Sequence, residues 1–228
     1  METAQTIVLI LHIIAGFTAL TVGVIPFVAK KGGKLHNATG KVFYYAMVFV
    51  ATSAFGLAIY RFSPFLLMVG LLTLYATITG YRGLQLKRQR AKRGQIRDWV
   101  LLFTVGLGLI FTVWQTIAQF GIENTGILIL VSVFGSLLTV NLVSDIHLFS
   151  GRKKMTNKSW IRYHISRISG AYIATVTAFL VNNVQTDPAF IAWLLPTIIG
   201  VPLVSVLRRR YFAGKKKVNS ASAVIAQA

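Results

Sequence analysis

The chain has no cysteine among its 228 residues. That removes disulfides, thiolate metal sites, iron–sulfur clusters and cysteine nucleophiles together. Acidic residues are almost as scarce, five Asp and Glu against 24 Lys and Arg. No Ser-His-Asp order, phosphate-cradling glycine loop, HExxH pair or glycine-rich nucleotide fingerprint occurs. The common sequence signatures of hydrolases, nucleotide enzymes and zinc proteases are therefore missing.

What the chain has is apolar length. It is 55% hydrophobic and 13% charged, with mean hydropathy +0.66, outside the range of soluble globular domains. Seven runs, near Thr6–Ala29, Val42–Tyr60, Pro64–Tyr81, Trp99–Gln119, Gly126–His147, His164–Asn183 and Pro188–Leu207, read as membrane spans. Each approaches the ~20 helical residues that cross ~30 Å of hydrocarbon. The third is the shortest, and Arg82 is expected to snorkel from its end.

The scattered charge then acquires a direction. All but one of the 24 Lys and Arg fall in the connections after the first, third and fifth runs, at the start of the runs that follow them, or after the seventh run. The exception is Arg61. Lys/Arg bias of this kind places basic loops in the cytoplasm. The expected fold is an all-α integral membrane bundle of seven transmembrane helices, N-terminus outside and C-terminus cytoplasmic, in the cell membrane. A net charge of +19 spread over short loops suits anionic inner-leaflet lipid, not nucleic acid, because no basic–aromatic interleaving or helix-turn-helix pattern accompanies it. The first run also lacks basic residues ahead of it and a small-residue cleavage site behind it, so it reads as an anchor and not a cleaved signal.

Connections are short enough for one membrane domain, residues 1–217, followed by a tail, 218–228, expected to be disordered. The segment Gln85–Arg97 is the most charged and is expected to be helical and interfacial. A faint internal similarity, His36 with Gly40 and Tyr44 against His164 with Gly170 and Tyr172, would make spans one to three and five to seven parallel repeats, but three residues matched at different spacing are better explained by chance.

Ionisable groups in or beside hydrocarbon invite a functional reading. His12 shares a helix face with Gly16, Ala19 and Gly23 in the outer half of the first span, which suits close packing and a hydrogen bond to a neighbouring helix. It is about sixteen residues, roughly 24 Å, from the inner end, so it shares no metal with His36. At the inner end His36, His147 and His164 join Asp145, Asn141, Asp98 and Arg167. Asp145 lies inside the apolar boundary, and Arg167, one turn into the sixth span, is its expected counter-ion. Three imidazoles and a carboxylate suit a divalent metal, two suit haem iron. A structural hydrogen-bond network and an anion site remain open beside these. Along the sixth span His164, Arg167, Ala171, Thr175, Ala178 and Asn182 form one face. It is either a packing seam or the lining of a solute or proton path. Pro196 and Pro202 in the seventh span are expected to kink it.

Three segments carry a family resemblance: Leu11-His12 with Gly16, Lys31-Gly-Gly-Lys-Leu-His36 with Gly40-Lys41, and the stretch His164-Ile-Ser-Arg167-Ile-Ser-Gly170-Ala-Tyr172 continuing through Thr175, Thr177 and Phe179 to Asn182. Through them the chain resembles a prokaryotic family of multi-pass membrane proteins known as domain of unknown function 2306. The resemblance implies the membrane fold and no activity, cofactor or catalytic residue. The expected function is thus a polar site at the inner leaflet, with His36, His147, His164 and Asp145 as ligands for haem or a divalent metal and Arg167 as charge partner. A small-solute or proton-coupled transporter, or an accessory protein without turnover, are the alternatives.

Overall fold

The computed structural model describes residues 2–60, 63–187 and 190–225. Arg61, and Pro188 at the expected start of the seventh span, lie outside the described residues. The chain forms seven helices: α1 (Glu2–Val28), α2 (Lys34–Tyr60), α3 (Pro64–Arg88), α4 (Ile96–Phe120), α5 (Thr125–Phe149), α6 (Asn157–Asn183) and α7 (Phe190–Ile225). No strand occurs among the described residues.

The helices begin where local chemistry tells them to. Ser63 caps α3 by accepting from the Leu66 N–H, with Pro64 just inside. Asn124 caps α5 through the Ile127 N–H and Thr156 caps α6 through the Ser159 N–H. Each cap satisfies an N–H that the first turn leaves without an intrahelical partner. Pro196 and Pro202 both lie inside α7, which runs on to Ile225 and so into the segment expected as a tail.

α3 and α6 form the centre. α3 packs against α2, α4, α5 and α6, while α6 packs against α1, α3 and α7. Glycine permits the closest approach: a Cβ on Gly80 would lie 2.9 Å from the Arg167 Cβ. One apolar cluster (Met68, Tyr75, Leu102, Phe134, Leu138, Trp160) joins α3 to α4, α5 and α6. A second, of small residues and Phe43 and Met47 (Ala19, Ala76, Ala171), joins α1, α2, α3 and α6. Small side chains suit helix contact in lipid, where dispersion packing replaces the hydrophobic effect between helices.

Five helices, α1, α2, α4, α5 and α7, are long and apolar enough to cross a membrane. α3 and α6 are less apolar because neighbours, not lipid, cover much of their surface. The outer surface is the reverse of a soluble protein's. On α4, Phe103, Leu107, Ile110 and Trp114 are 60–67% exposed and follow one helical face. A continuous apolar face of this kind calls for a hydrocarbon solvent.

Two expectations are corrected by the packing. Arg82 does not snorkel; it is buried, 6% exposed. The segment Gln85–Arg97 is helical only at its ends, because α3 stops at Arg88 and α4 starts at Ile96, with Arg90 in left-handed backbone between them. α1 lies along α2, whereas α5 and α6 make no close backbone approach.

Candidate functional site

Two buried ion pairs sit toward the basic end of the bundle, and they are the only ones among the described residues. The first closes the α3–α4 connection. Arg82 grips Asp98 with two hydrogen bonds, Nε to Oδ1 at 2.6 Å and Nη2 to Oδ2 at 3.1 Å. Its remaining donors reach Gln85 (3.0 Å) and Gln95 (2.7 Å). Asp98 also accepts from the Gln95 N–H at 2.8 Å, at the start of α4, where a negative charge complements the helix dipole. Each nitrogen of the Arg82 guanidinium and each oxygen of the Asp98 carboxylate has a hydrogen-bond partner here.

The second pair is placed differently. Asp145 on α5 has no exposed surface and Arg167 on α6 is 5% exposed. The pair expected from the sequence is present, Arg167 Nη2 donating to Asp145 Oδ1 at 2.7 Å. Two tyrosines complete it. Tyr75 of α3 and Tyr163 of α6 both donate to Asp145 Oδ2, at 2.8 and 3.0 Å. Their rings also flank the guanidinium, 5.5 and 4.9 Å from its central carbon, where the ring faces favour a cation. Asn141 contributes its carbonyl oxygen, not its side chain, accepting from Arg167 Nη2 at 3.0 Å. Because the α5 and α6 backbones do not touch, these side chains fill the space between them. Arg167 Nη1 is buried there and finds no hydrogen-bond partner among the described residues.

The histidines do not join this centre as a ligand set. His147 lies on the exposed side of α5 and bonds its own helix through the Val143 carbonyl, 3.0 Å. His36 holds the Pro26 carbonyl at 3.2 Å and His164 the Gly80 carbonyl at 2.9 Å, both through Nδ1. Asp145 already accepts three hydrogen bonds. No group of three or more His, Asp or Glu lies together as a metal site requires, among the described residues. Residues at one height were expected to converge, but the helix rotations point them to different neighbours.

His12 meets Ser53 of α2 at 2.8 Å, the interhelical bond expected of it. Of its small-residue face, Ala19 is buried and Gly23 abuts Phe43 and Tyr172, while Gly16 faces open space. The sixth-helix stripe is a seam for most of its length. Ala171 is fully buried, and Thr175 bonds its own Ala171 carbonyl (2.8 Å) and lies 3.1 Å from Met47 sulfur. Asn182 is exposed and donates to the Ala178 carbonyl. Nothing along that middle stretch is open.

Sequence reasoning missed Tyr75, Tyr163 and the Arg82–Asp98 knot. A tyrosine inside an apolar run reads as bulk, and only the fold aims its hydroxyl. For Asp98 a signal existed: it is the acid that directly follows the basic residues from Arg82 to Arg97. Together these features define a multi-pass helical membrane protein with a buried ionic centre. Comparison with known proteins adds nothing to that class, since no family model, no curated protein and no solved structure matches the chain.

Proposed function

We propose that the chain is a cytoplasmic-membrane protein, N-terminus outside and basic ends inside against anionic lipid, and that its Tyr75–Asp145–Tyr163–Arg167 centre binds a small solute through an oxygen acceptor placed on Arg167. The observation that carries this reading is Arg167 Nη1, a buried cationic donor without a hydrogen-bond partner among the described residues. An unmet donor of this kind costs about 1–3 kcal/mol, more when charged, and an acceptor supplied by a ligand offsets that cost. Ionic groups kept inside a membrane bundle are functional by default.

Haem or divalent metal on His36, His147, His164 and Asp145 has less support, since those groups face different partners and Asp145 already accepts three hydrogen bonds. Transport along Ala171, Thr175 and Asn182 requires the seam at Met47 to part, and belongs to a second conformation. Membership of the domain of unknown function 2306 family stays within this proposal and brings no activity with it.

The test uses purified full-length protein in detergent, with acetate and acetamide as a small anionic and a small neutral oxygen acceptor. One of them is expected to raise the melting temperature of the wild type and to leave Arg167→Lys unmoved. No shift with either probe ends the solute reading. Stoichiometric bound metal, or a Soret band, restores the metal or haem reading in its place.

A further inference from the structure

A second feature lies outside the ionic centre. A groove of about 400 Å³ at the basic end is lined by Ser144, His147, Arg152 and Lys153. Two elements build it. Ser144 and His147 stand three residues apart on the outer face of α5, and Arg152 and Lys153 occupy the turn that leaves it. That turn is held in shape by Gly151, whose φ of +80° favours glycine, and by the Lys153 N–H bonding the His147 carbonyl at 3.0 Å.

The charge of the groove is uncompensated. Among the described residues neither Arg152 nor Lys153 has a carboxylate partner, and Asp98 and Asp145 are committed to Arg82 and Arg167. Arg93, from the α3–α4 connection, packs beside Gly151 and adds a third cation nearby. His147 spends Nδ1 on the Val143 carbonyl, which leaves Nε2 for another partner.

Below the groove the same face turns apolar. Leu137 and Val140 continue the helical register of Ser144 and His147 toward the middle of α5, and they are 42% and 66% exposed. An anionic pocket-filler at the bilayer edge and a hydrocarbon chain beneath it therefore meet matching surfaces in the right order. A free phosphate ion would use only the upper half.

We propose that this groove is a binding site for an anionic phospholipid, its phosphate held by Ser144, Arg152 and Lys153 with His147 alongside, and one acyl chain lying on Leu137 and Val140. The proposal needs only that the chain spans a membrane, and is independent of any solute at Arg167.

The experiment is native mass spectrometry of the full-length protein in detergent, titrated with phosphatidylglycerol, phosphatidylcholine or inorganic phosphate. Wild type is expected to hold one phosphatidylglycerol with saturation, in preference to phosphatidylcholine and undisturbed by equal inorganic phosphate. Arg152→Ala with Lys153→Ala is expected to weaken that binding by roughly tenfold to thirtyfold, at about 1 kcal/mol for each basic residue near a lipid surface. Arg152→Lys with Lys153→Arg, which keeps both charges, should recover most of it. Arg209→Ala with Arg210→Ala, on α7 and not among the residues lining the groove, should leave it unchanged. Equal loss in the α7 variant would mean diffuse attraction and overturn the proposal, as would retention in the Arg152→Ala/Lys153→Ala protein. Displacement of the lipid by inorganic phosphate would reassign the groove to the free ion.

Discussion

Substituting Asp145 by Asn keeps the shape of the carboxylate and removes its charge. Arg167 then stays buried and cationic, while the nearest alternative acid on this end, Asp98, is held by Arg82. Breaking one side of a buried pair costs about 3–5 kcal/mol in soluble proteins. Hydrogen bonds inside membrane bundles contribute less, about 0.6 kcal/mol on average by double-mutant cycles, and the asparagine oxygen can still accept from Tyr75 and Tyr163. A loss of about 3 kcal/mol is therefore expected for Asp145→Asn. Arg167→Met leaves Asp145 with two hydroxyl donors and should lose a similar amount or slightly less. The double variant removes both charges, so its loss should stay near that of either single one, a coupling of about 2–3 kcal/mol. The assay is reversible unfolding by dodecyl sulfate in mixed micelles, followed by helicity. Losses that add to within about 0.5 kcal/mol would show that the two charges act independently. The site as described would then be refuted.

The other predictions concern the packing around it. Gly83→Ala places a Cβ 2.7 Å from the Tyr163 ring; displacing that ring should destabilise the protein by about 1–3 kcal/mol in the same assay. Arg82→Leu leaves Asp98 buried without its cation, and should destabilise by about 3–5 kcal/mol while leaving lipid binding at Arg152 and Lys153 intact. His147→Ala, on an exposed face, should change stability by less than about 0.5 kcal/mol, whereas His164→Ala should cost about 1 kcal/mol because it cuts the tie from α6 to the Gly80 carbonyl. If the two histidine variants behave alike, the contrast drawn between them is wrong.

Membrane-crossing helices are legible in a sequence in proportion to how much lipid they face. α1, α4 and α5 present long apolar surfaces, and their limits fall close to the hydrophobic runs, whereas α7 runs well past its apolar part to Ile225. α3 and α6 are enclosed by protein, so polar residues extend them past the apolar boundary, to Arg88 and back to Asn157. For the same reason Arg82 looked like a snorkelling end, when its partner stood sixteen residues away across a turn. Asp145 was readable because an acid inside an apolar run demands a cation, and Arg167 was the one at its level. The histidines misled because depth in the membrane follows from residue number, while rotation about the helix axis depends on every neighbour. His147 and His164 share a depth and turn away from each other.

Because the chain carries no native cysteine, single cysteines report position without background. Glu123→Cys, in the exposed α4–α5 turn, and Lys154→Cys, in the exposed α5–α6 connection, lie at opposite ends of α5. In cells expressing the full chain, a membrane-impermeant maleimide should label Glu123→Cys in intact cells and Lys154→Cys only after permeabilisation. Labelling of both positions in intact cells, or of Lys154→Cys alone, would contradict a bundle that crosses the bilayer with its basic ends inside.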